Sequence, residues 1–254
     1  MRIATWSING VRTRKELLLR WLDEQKPDVV ALQKIRSSEE VFRRELRSIL
    51  SEDRFSGSGS AEYCARVWCR ENEYGVAILS RSKPEVVQEG LPGQRKLGPR
   101  FLTVEVNGLQ VSSVYAPYGD DIRRRADWLE ALSAHVRSRG SGSQKCLLCG
   151  DFNVSAERRG RTGNRKTEHE ELRRKFTTLC GLGFIDLYMP PPEGQGRFTY
   201  TGSQGEIKLT KLQYMLGTVS VAKCLRGAPT VEVEYRRPGA GNAWWAPLVA
   251  QLDD

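Results

Sequence analysis

Histidine is nearly missing from this chain: its 254 residues include two, His135 and His169. There is no histidine pair and no second cysteine pair at finger spacing, so a structural zinc site does not organise the fold. The six cysteines form no disulfide framework, because length and the lack of an export signal point to a reducing compartment. Cys146-x-x-Cys149 would put its thiols on opposite faces of a strand. These two and the Cys64/Cys69 pair read as core cysteines. No segment nears the roughly 20 apolar residues that span a bilayer. The start, Met1-Arg2-Ile3-Ala4-Thr5-Trp6, enters strand-like sequence with no apolar leader. These absences predict a cytoplasmic protein with no membrane partner. No repeat, low-complexity tract or linker interrupts the chain, which predicts one domain over residues 1–254.

Basic charge, by contrast, is abundant. Lysine and arginine total 40 against 31 acidic residues, for a net charge of +9. Such an excess favours a polyanionic partner. The basic residues come in short groups, including Arg12-Thr13-Arg14-Lys15, Arg123-Arg124-Arg125 and Arg173-Arg174-Lys175. Any one group reads as a solvated helix face; their sum argues for nucleic acid.

Strand and helix periodicities alternate along the chain, an α/β pattern. Strands are predicted at Arg2–Ile8, Asp28–Gln33, Tyr74–Leu79 and before Asp151. Helices are predicted at Arg14–Glu24, Arg123–Val136 and Glu168–Leu179. Ser37-Ser38-Glu39-Glu40 resembles a capping box opening a further helix. Phe101–Val106 and Leu109–Tyr115 flank Asn107-Gly108, a strong hairpin signal, so the sheet is mixed. The last quarter is strand-rich: Phe198–Thr201, Leu212–Leu216, Val231–Tyr235 and Trp245–Leu252. The order suits a four-layered α/β sandwich, two mixed β-sheets packed face to face and flanked by helices. Ser155–Thr167, basic and glycine-containing, reads as a mobile loop beside Asp151.

The tetrapeptide Gly150-Asp151-Phe152-Asn153 follows the apolar run Cys146-Leu147-Leu148-Cys149. A buried strand ending in a carboxylate and a carboxamide two residues apart can hold chemistry on a rigid edge. With it go Arg2-Ile3-Ala4-Thr5-Trp6-Ser7-Ile8-Asn9-Gly10, Pro27-Asp28-Val29-Val30-Ala31-Leu32-Gln33, Val114-Tyr115-Ala116-Pro117, Gly183-Phe184-Ile185-Asp186 and Ala246-Pro247-Leu248-Val249-Ala250. Together, in this order and spacing, they resemble the exonuclease III-type abasic-site endonucleases of the endonuclease/exonuclease/phosphatase superfamily. The resemblance covers essentially the whole chain.

That resemblance implies divalent-metal-dependent hydrolysis of a phosphodiester. It makes Asp151 the water-orienting aspartate and Asn153 its phosphate-contacting neighbour. Tyr115 becomes the tyrosine near the phosphate and Asn9 the second asparagine of the opening motif. Other positions depart from the pattern. Ser7 replaces the first asparagine, Lys34 a metal-binding glutamate, and Gln213 an aspartate. Trp244-Trp245 stand where an Asp-His pair closes the family motif, and Tyr118 where an amide is usual. Neither His135 nor His169 is placed to substitute.

The resulting expectation is an exonuclease III-like protein, impaired or inactive in catalysis, that binds nucleic acid through a basic face. No metal ligand set and no cofactor are expected. Lys34, with Arg36 two residues on, either attracts a phosphate in place of the metal or pairs with Asp151. Trp244 and Trp245 either stack unpaired bases or fill the lost metal site. Tyr200 stands near a family tryptophan that wedges against the lesion. Two rivals stay open. One is an active Mg²⁺-dependent AP endonuclease or 3′-5′ exodeoxyribonuclease, with Glu39 or Glu40 standing in for the glutamate. The other is a non-enzymatic regulatory or protein-interaction module. DNA and RNA fit equally, and the oligomeric state is left open.

Overall fold

The computed structural model describes residues 1–51, 62–139, 144–155, 164–189, 199–201, 209–236 and 244–253. Of these, 164–168, 200, 201, 209, 210 and 244 are described by backbone alone. The first half runs β1 (Arg2–Ser7), α1 (Val11–Gln25), β2 (Val29–Gln33), α2 (Glu39–Glu45), β3 (Cys64–Trp68), β4 (Val76–Ser80), β5 (Glu85–Glu89), β6 (Phe101–Val106), β7 (Leu109–Tyr115) and α3 (Ile122–Ser138). The second runs β8 (Cys146–Asp151), α4 (Asn164–Cys180), β9 (Phe184–Asp186), β10 (Tyr200–Thr201), β11 (Leu209–Thr210), β12 (Gln213–Thr218), α5 (Val219–Lys223), β13 (Thr230–Val231), β14 (Trp244–Trp245) and β15 (Leu248–Gln251).

Two six-stranded sheets carry the fold, in orders β13-β15-β1-β2-β4-β3 and β5-β6-β7-β8-β12-β9. Both are mixed: β1–β2 and β7–β8 are parallel, and their other neighbours antiparallel. A small sheet, β11-β10-β14, sits apart in the pairing. Alternation along each strand sorts residues into layers. Ile3, Val29 and Ile78 from the first sheet meet Leu102, Val111 and Leu147 from the second in the central core. Trp6, Trp21 and Phe42 pack α1 and α2 on the outer face of the first sheet. Phe101, Trp128 and Phe176 pack α3 and α4 on the outer face of the second. The result is the predicted α/β/β/α sandwich.

Local chemistry explains the boundaries. Ser38 caps α2, its side chain accepting from the Val41 amide at 3.3 Å. Asp121 does the same for α3 through the Arg124 amide at 3.0 Å. Asn107 and Gly108 take left-handed φ of 50° and 75°, closing the β6–β7 hairpin. Cys146 packs against the outer core and Cys149 lies in the central one, on opposite faces of β8. Both are free thiols, and burial pushes Cys149 up to about 12.

Several expectations need correction. Val231–Tyr235 is not one strand: β13 ends at Val231 and a 3-10 turn follows at Val233–Tyr235. Glu232 sits at the break because its buried carboxylate pairs with Arg2 at 2.7 Å and accepts from the Trp21 indole. α4 starts at Asn164, before the expected Glu168, shortening the anticipated loop. The rest of that loop, 156–163, lies outside the described residues, as does Phe198. Strands β3, β5 and β9 had no clear signal. No described helix is long and apolar enough to cross a membrane.

Candidate functional site

Strand alternation brings the polar residues together. On β1, Ile3 faces the central core, so Thr5 and Ser7 face the same way. By the same parity Gln33 on β2, Ser113 and Tyr115 on β7, Asp151 on β8 and Gln213 on β12 all point between the sheets. β1 runs parallel to β2 and β7 to β8, so these side chains gather at one end of the sandwich. Below them Gln33 donates to Thr5 Oγ1 at 3.0 Å and to Ser113 Oγ at 3.0 Å, and Ser113 donates to the Leu32 carbonyl at 2.9 Å. This buried network ties the two sheets beneath the site.

Asp151 is fully buried. Its Oδ1 accepts the Asn153 amide at 3.0 Å. Its Oδ2 accepts Lys34 Nζ at 2.7 Å and Ser7 Oγ at 3.3 Å. Lys34 is 5% exposed. Its ammonium lies 3.6 Å from the centre of the Trp245 ring and 5.2 Å from that of Tyr115. A desolvated contact of the first kind is worth about 2 kcal/mol. Burial pushes the Lys34 ammonium below the usual lysine range, Asp151 pulls it back up, and Arg100 adds to the depression.

Gln213 completes the pocket floor. Its Oε1 accepts the Ser7 amide at 2.8 Å and its Nε2 donates to the Ala246 carbonyl at 2.8 Å. It therefore joins β1, β12 and the segment between β14 and β15. Asn153 donates to the Ala116 carbonyl at 2.7 Å. Its own carbonyl accepts from Arg125 at 2.6 Å. Arg125 is thus a buried tether of the Asp151 loop, not a solvated member of the Arg123–Arg125 group.

Backbone conformation marks the same place. Asn9, Lys34, Arg36 and Asn153 all have left-handed φ, from 48° to 58°. Asparagine tolerates this region; lysine and arginine do so at a cost of about 1–2 kcal/mol each. Such outliers gather where surrounding structure over-determines the chain. The backbone on either side of Asn9 is tied to the end of β2, with Ile8 and Gly10 donating to the Gln33 and Lys34 carbonyls.

The predicted residues fall into three sets. Asp151, Asn153, Tyr115, Lys34 and Trp245 converge, and Asn9 is brought beside Lys34 by backbone pairing alone. Arg36 lies on the exposed rim, with its guanidinium 5.6 Å from the Tyr74 ring centre. Tyr200 and Trp244 are placed by backbone only, Tyr200 opposite Trp245 and Thr201 opposite Trp244, and their side chains lie outside the described residues. Trp245 is 8% exposed, with little surface to offer a base. Glu39 lies on the solvent side of α2, paired with Arg43 at 2.7 Å. His135 packs edge-on against Phe101 in α3.

Arg100 escaped the sequence reading. It precedes β6 without a motif, yet its guanidinium lies 4.6 Å from the Tyr115 ring centre. The Tyr115 hydroxyl and Arg100 Nη1 are each buried without a hydrogen-bond partner among the described residues. Burial pushes the Tyr115 hydroxyl far above the usual phenol range. A second ion pair joins the buried Lys211 to the half-buried Asp186 at 2.5 Å. Lys211 also donates to the Tyr188 carbonyl at 2.6 Å and reads as a structural tie.

Comparisons with known proteins follow the same lines. A model of the Endonuclease/Exonuclease/phosphatase family matches residues 4–210. Exodeoxyribonuclease III of Haemophilus influenzae is 25% identical over 166 residues, covering 61% of this chain and 58% of that protein. The chain thus spans under two thirds of that relative. An AP endonuclease from Archaeoglobus fulgidus superposes with a TM-score of 0.81 at 24% identity, covering both chains fully. A 3′ phosphatase from Neisseria bound to product DNA hairpin gives a TM-score of 0.80 at 25% identity, covering 100% of this chain and 99% of that one.

Proposed function

The chain belongs to the Endonuclease/Exonuclease/phosphatase family, and from that premise we propose that it is an exonuclease III-like, nucleic-acid-binding protein that holds a phosphate without efficient hydrolysis. The observation that carries this reading is the buried Lys34–Asp151 pair at 2.7 Å. Asp151 is fully buried and already accepts three hydrogen bonds, so most of its acceptor capacity is spent on Lys34, Ser7 and the Asn153 amide. The side chains around it do not fit a divalent ion. Asp151 is the one carboxylate in the gathered set, and the described residues hold no group of three or more His, Cys, Asp or Glu side chains placed for a metal. A divalent ion about 4 Å from an ammonium would be opposed by about 8 kcal/mol at an effective dielectric of 20.

The same residues suit an anion. Lys34 supplies a point charge, Arg100 a second cation beside it, and the Tyr115 hydroxyl a donor. The net charge of +9 supplies long-range attraction to a polyanion. The Neisseria relative bound to a DNA hairpin supports nucleic acid as that polyanion.

Two experiments test this. With a duplex containing one abasic site and Mg²⁺, the protein is expected to bind and to leave the strand uncut above background; robust incision lost in D151A would sink the reading. Its affinity should fall steeply with salt, because each phosphate contact releases counterions. A salt-independent affinity would contradict it. Charge replacement at Lys34 has its own check. K34E should gain Mg²⁺-dependent thermal stabilisation, about 2.7 kcal/mol at a hundredfold excess over the dissociation constant. The parent protein should gain none, and an equal response in both would count against the idea.

A further inference from the structure

Three tyrosines and two arginines form a chain of contacts that runs outward from Lys34 to the exposed Tyr118. Tyr115 is fully buried at its inner end. Tyr74 meets Tyr115 edge-on at 5.9 Å between ring centres, and Tyr118 meets Tyr74 at 6.4 Å. Tyr118 lies 6.5 Å from Tyr115 with the planes only 30° apart. Cations alternate with the rings: Arg100 beside Tyr115 at 4.6 Å and Arg36 beside Tyr74 at 5.6 Å. The outermost ring, Tyr118, is 58% exposed.

The backbone holds this surface in place. Pro117 restricts the approach to Tyr118. Tyr74 precedes Gly75, where an added Cβ would lie 2.6 Å from Cys69 Cβ and 2.8 Å from the Trp68 carbonyl oxygen. That close approach fixes the loop carrying Tyr74. Arg36 leaves the site through a left-handed residue with φ 48°. An exposed ring on a fixed mount, with guanidiniums at phosphate reach and a buried cation beyond, combines the two features that bind single strands: a stacking face and a cationic track.

We propose that Tyr118, supported by Tyr74 and with Arg36 and Arg100 on the adjoining rings, is a stacking platform for an unpaired nucleotide, and that the preferred ligand is a single-stranded polynucleotide whose phosphate lies toward Lys34. This rests on the nucleic-acid reading above. A duplex keeps its base faces stacked internally and cannot use an exposed ring in this way. An unpaired base can, whatever its identity, because every base has a π-face.

The test uses the full chain, EDTA to suppress any cleavage, and three probes: a 12-nucleotide oligo-dT, a 12-nucleotide oligo-U and a 12-base-pair duplex. A 2-aminopurine in the dT probe reports stacking. The parent protein should bind the single strands about tenfold or more tighter than the duplex and quench 2-aminopurine. Y118A should weaken single-strand binding about 5- to 100-fold, the range of one stacked base, with duplex affinity within about twofold. Y118F should keep both affinity and quenching, since stacking needs the ring and not the hydroxyl. A difference between dT and U reports the 2′-hydroxyl and the C5-methyl together, and equal binding marks a platform tolerant of both; either supports the proposal. Equal losses on single strand and duplex, or no loss in Y118A while salt-sensitive binding persists, would overturn the platform and leave the basic-face reading standing. No binding to any probe would overturn both.

Discussion

Replacing Gly150 with alanine is expected to destabilise the protein by more than about 3 kcal/mol, beyond ordinary overpacking of a core. Gly150 has φ of +146°, and a Cβ built there would lie 2.0 Å from the Val114 carbonyl oxygen and under 3.0 Å from its carbonyl carbon and amide nitrogen. Those obstacles are backbone atoms of β7 paired in register with Gly150 across the parallel ladder, so no side chain can swing aside. Relief would require separating the two strands that carry Tyr115 and Asp151. For a chain of this size the loss corresponds to a melting-temperature drop of about 6–12 °C or more. G93A is the control: Gly93 also has positive φ, at +73°, but nothing lies within 4 Å of its added Cβ. Strain alone should make G93A cost about 1 kcal/mol. Equal melting temperatures for G150A and G93A would refute the close-approach argument.

The glycine also shows why much of the fold could be read in advance. Its motif, the Asn107-Gly108 turn and the alternation of β6 and β7 are local signals that agree with tertiary packing. The hairpin strands begin and end where the pattern puts them, Phe101–Val106 and Leu109–Tyr115. Elements whose reason for existing is non-local were harder to see. β3 carries Cys64 and Arg66 and takes its place by pairing with β4. β5 is a largely exposed edge strand of Glu, Val and Gln with a bulge between Val86 and Gln88. Val231–Tyr235 has strand-like residues, but Glu232 is drawn to Arg2 and Trp21, over 200 positions away. No local window contains that attraction.

For the site, parity did most of the work. Once strands were placed, Ser7, Gln33, Tyr115, Asp151 and Gln213 had to face one another. Lys34 was identified as a departure from the family pattern, with pairing to Asp151 as one of two uses. The pair is present, and it is compatible with the other use. Arg100, Tyr74 and the tether Arg125 were not legible as site residues, because each arrives from a loop or helix whose path depends on the finished sandwich. Arg125 looked like one of three equivalent arginines; only the turn of α3 selects it for the Asn153 carbonyl. Tyr118 was noticed for the amide it replaces, but its exposure could not be inferred from sequence.

Removing the Lys34 ammonium should have a similarly large effect, for an electrostatic reason. K34M keeps much of the volume and the apolar contact with Trp245 but leaves Asp151 buried with Ser7 Oγ and the Asn153 amide as its remaining donors. Breaking a buried pair from one side costs about 3–5 kcal/mol, chiefly because the surviving charge is uncompensated. Neutralising both sides should reverse most of that loss. K34M/D151N retains a carbonyl oxygen for the Asn153 amide and carries no buried charge. Urea unfolding of the parent, both single variants and the double variant forms a complete cycle. The expected coupling is about 2 kcal/mol or more, with the double variant more stable than K34M. A K34M loss below about 1 kcal/mol, or additive single-site effects, would show that the pair is electrostatically slack. The buried pair would then not be the feature that organises the site. A strong coupling would instead fix the ammonium at the carboxylate, where an incoming phosphate must compete with Asp151 for it. That competition also gives a direction: D151N should bind single-stranded oligonucleotide more tightly than the parent, because it frees the same positive charge without removing the lysine.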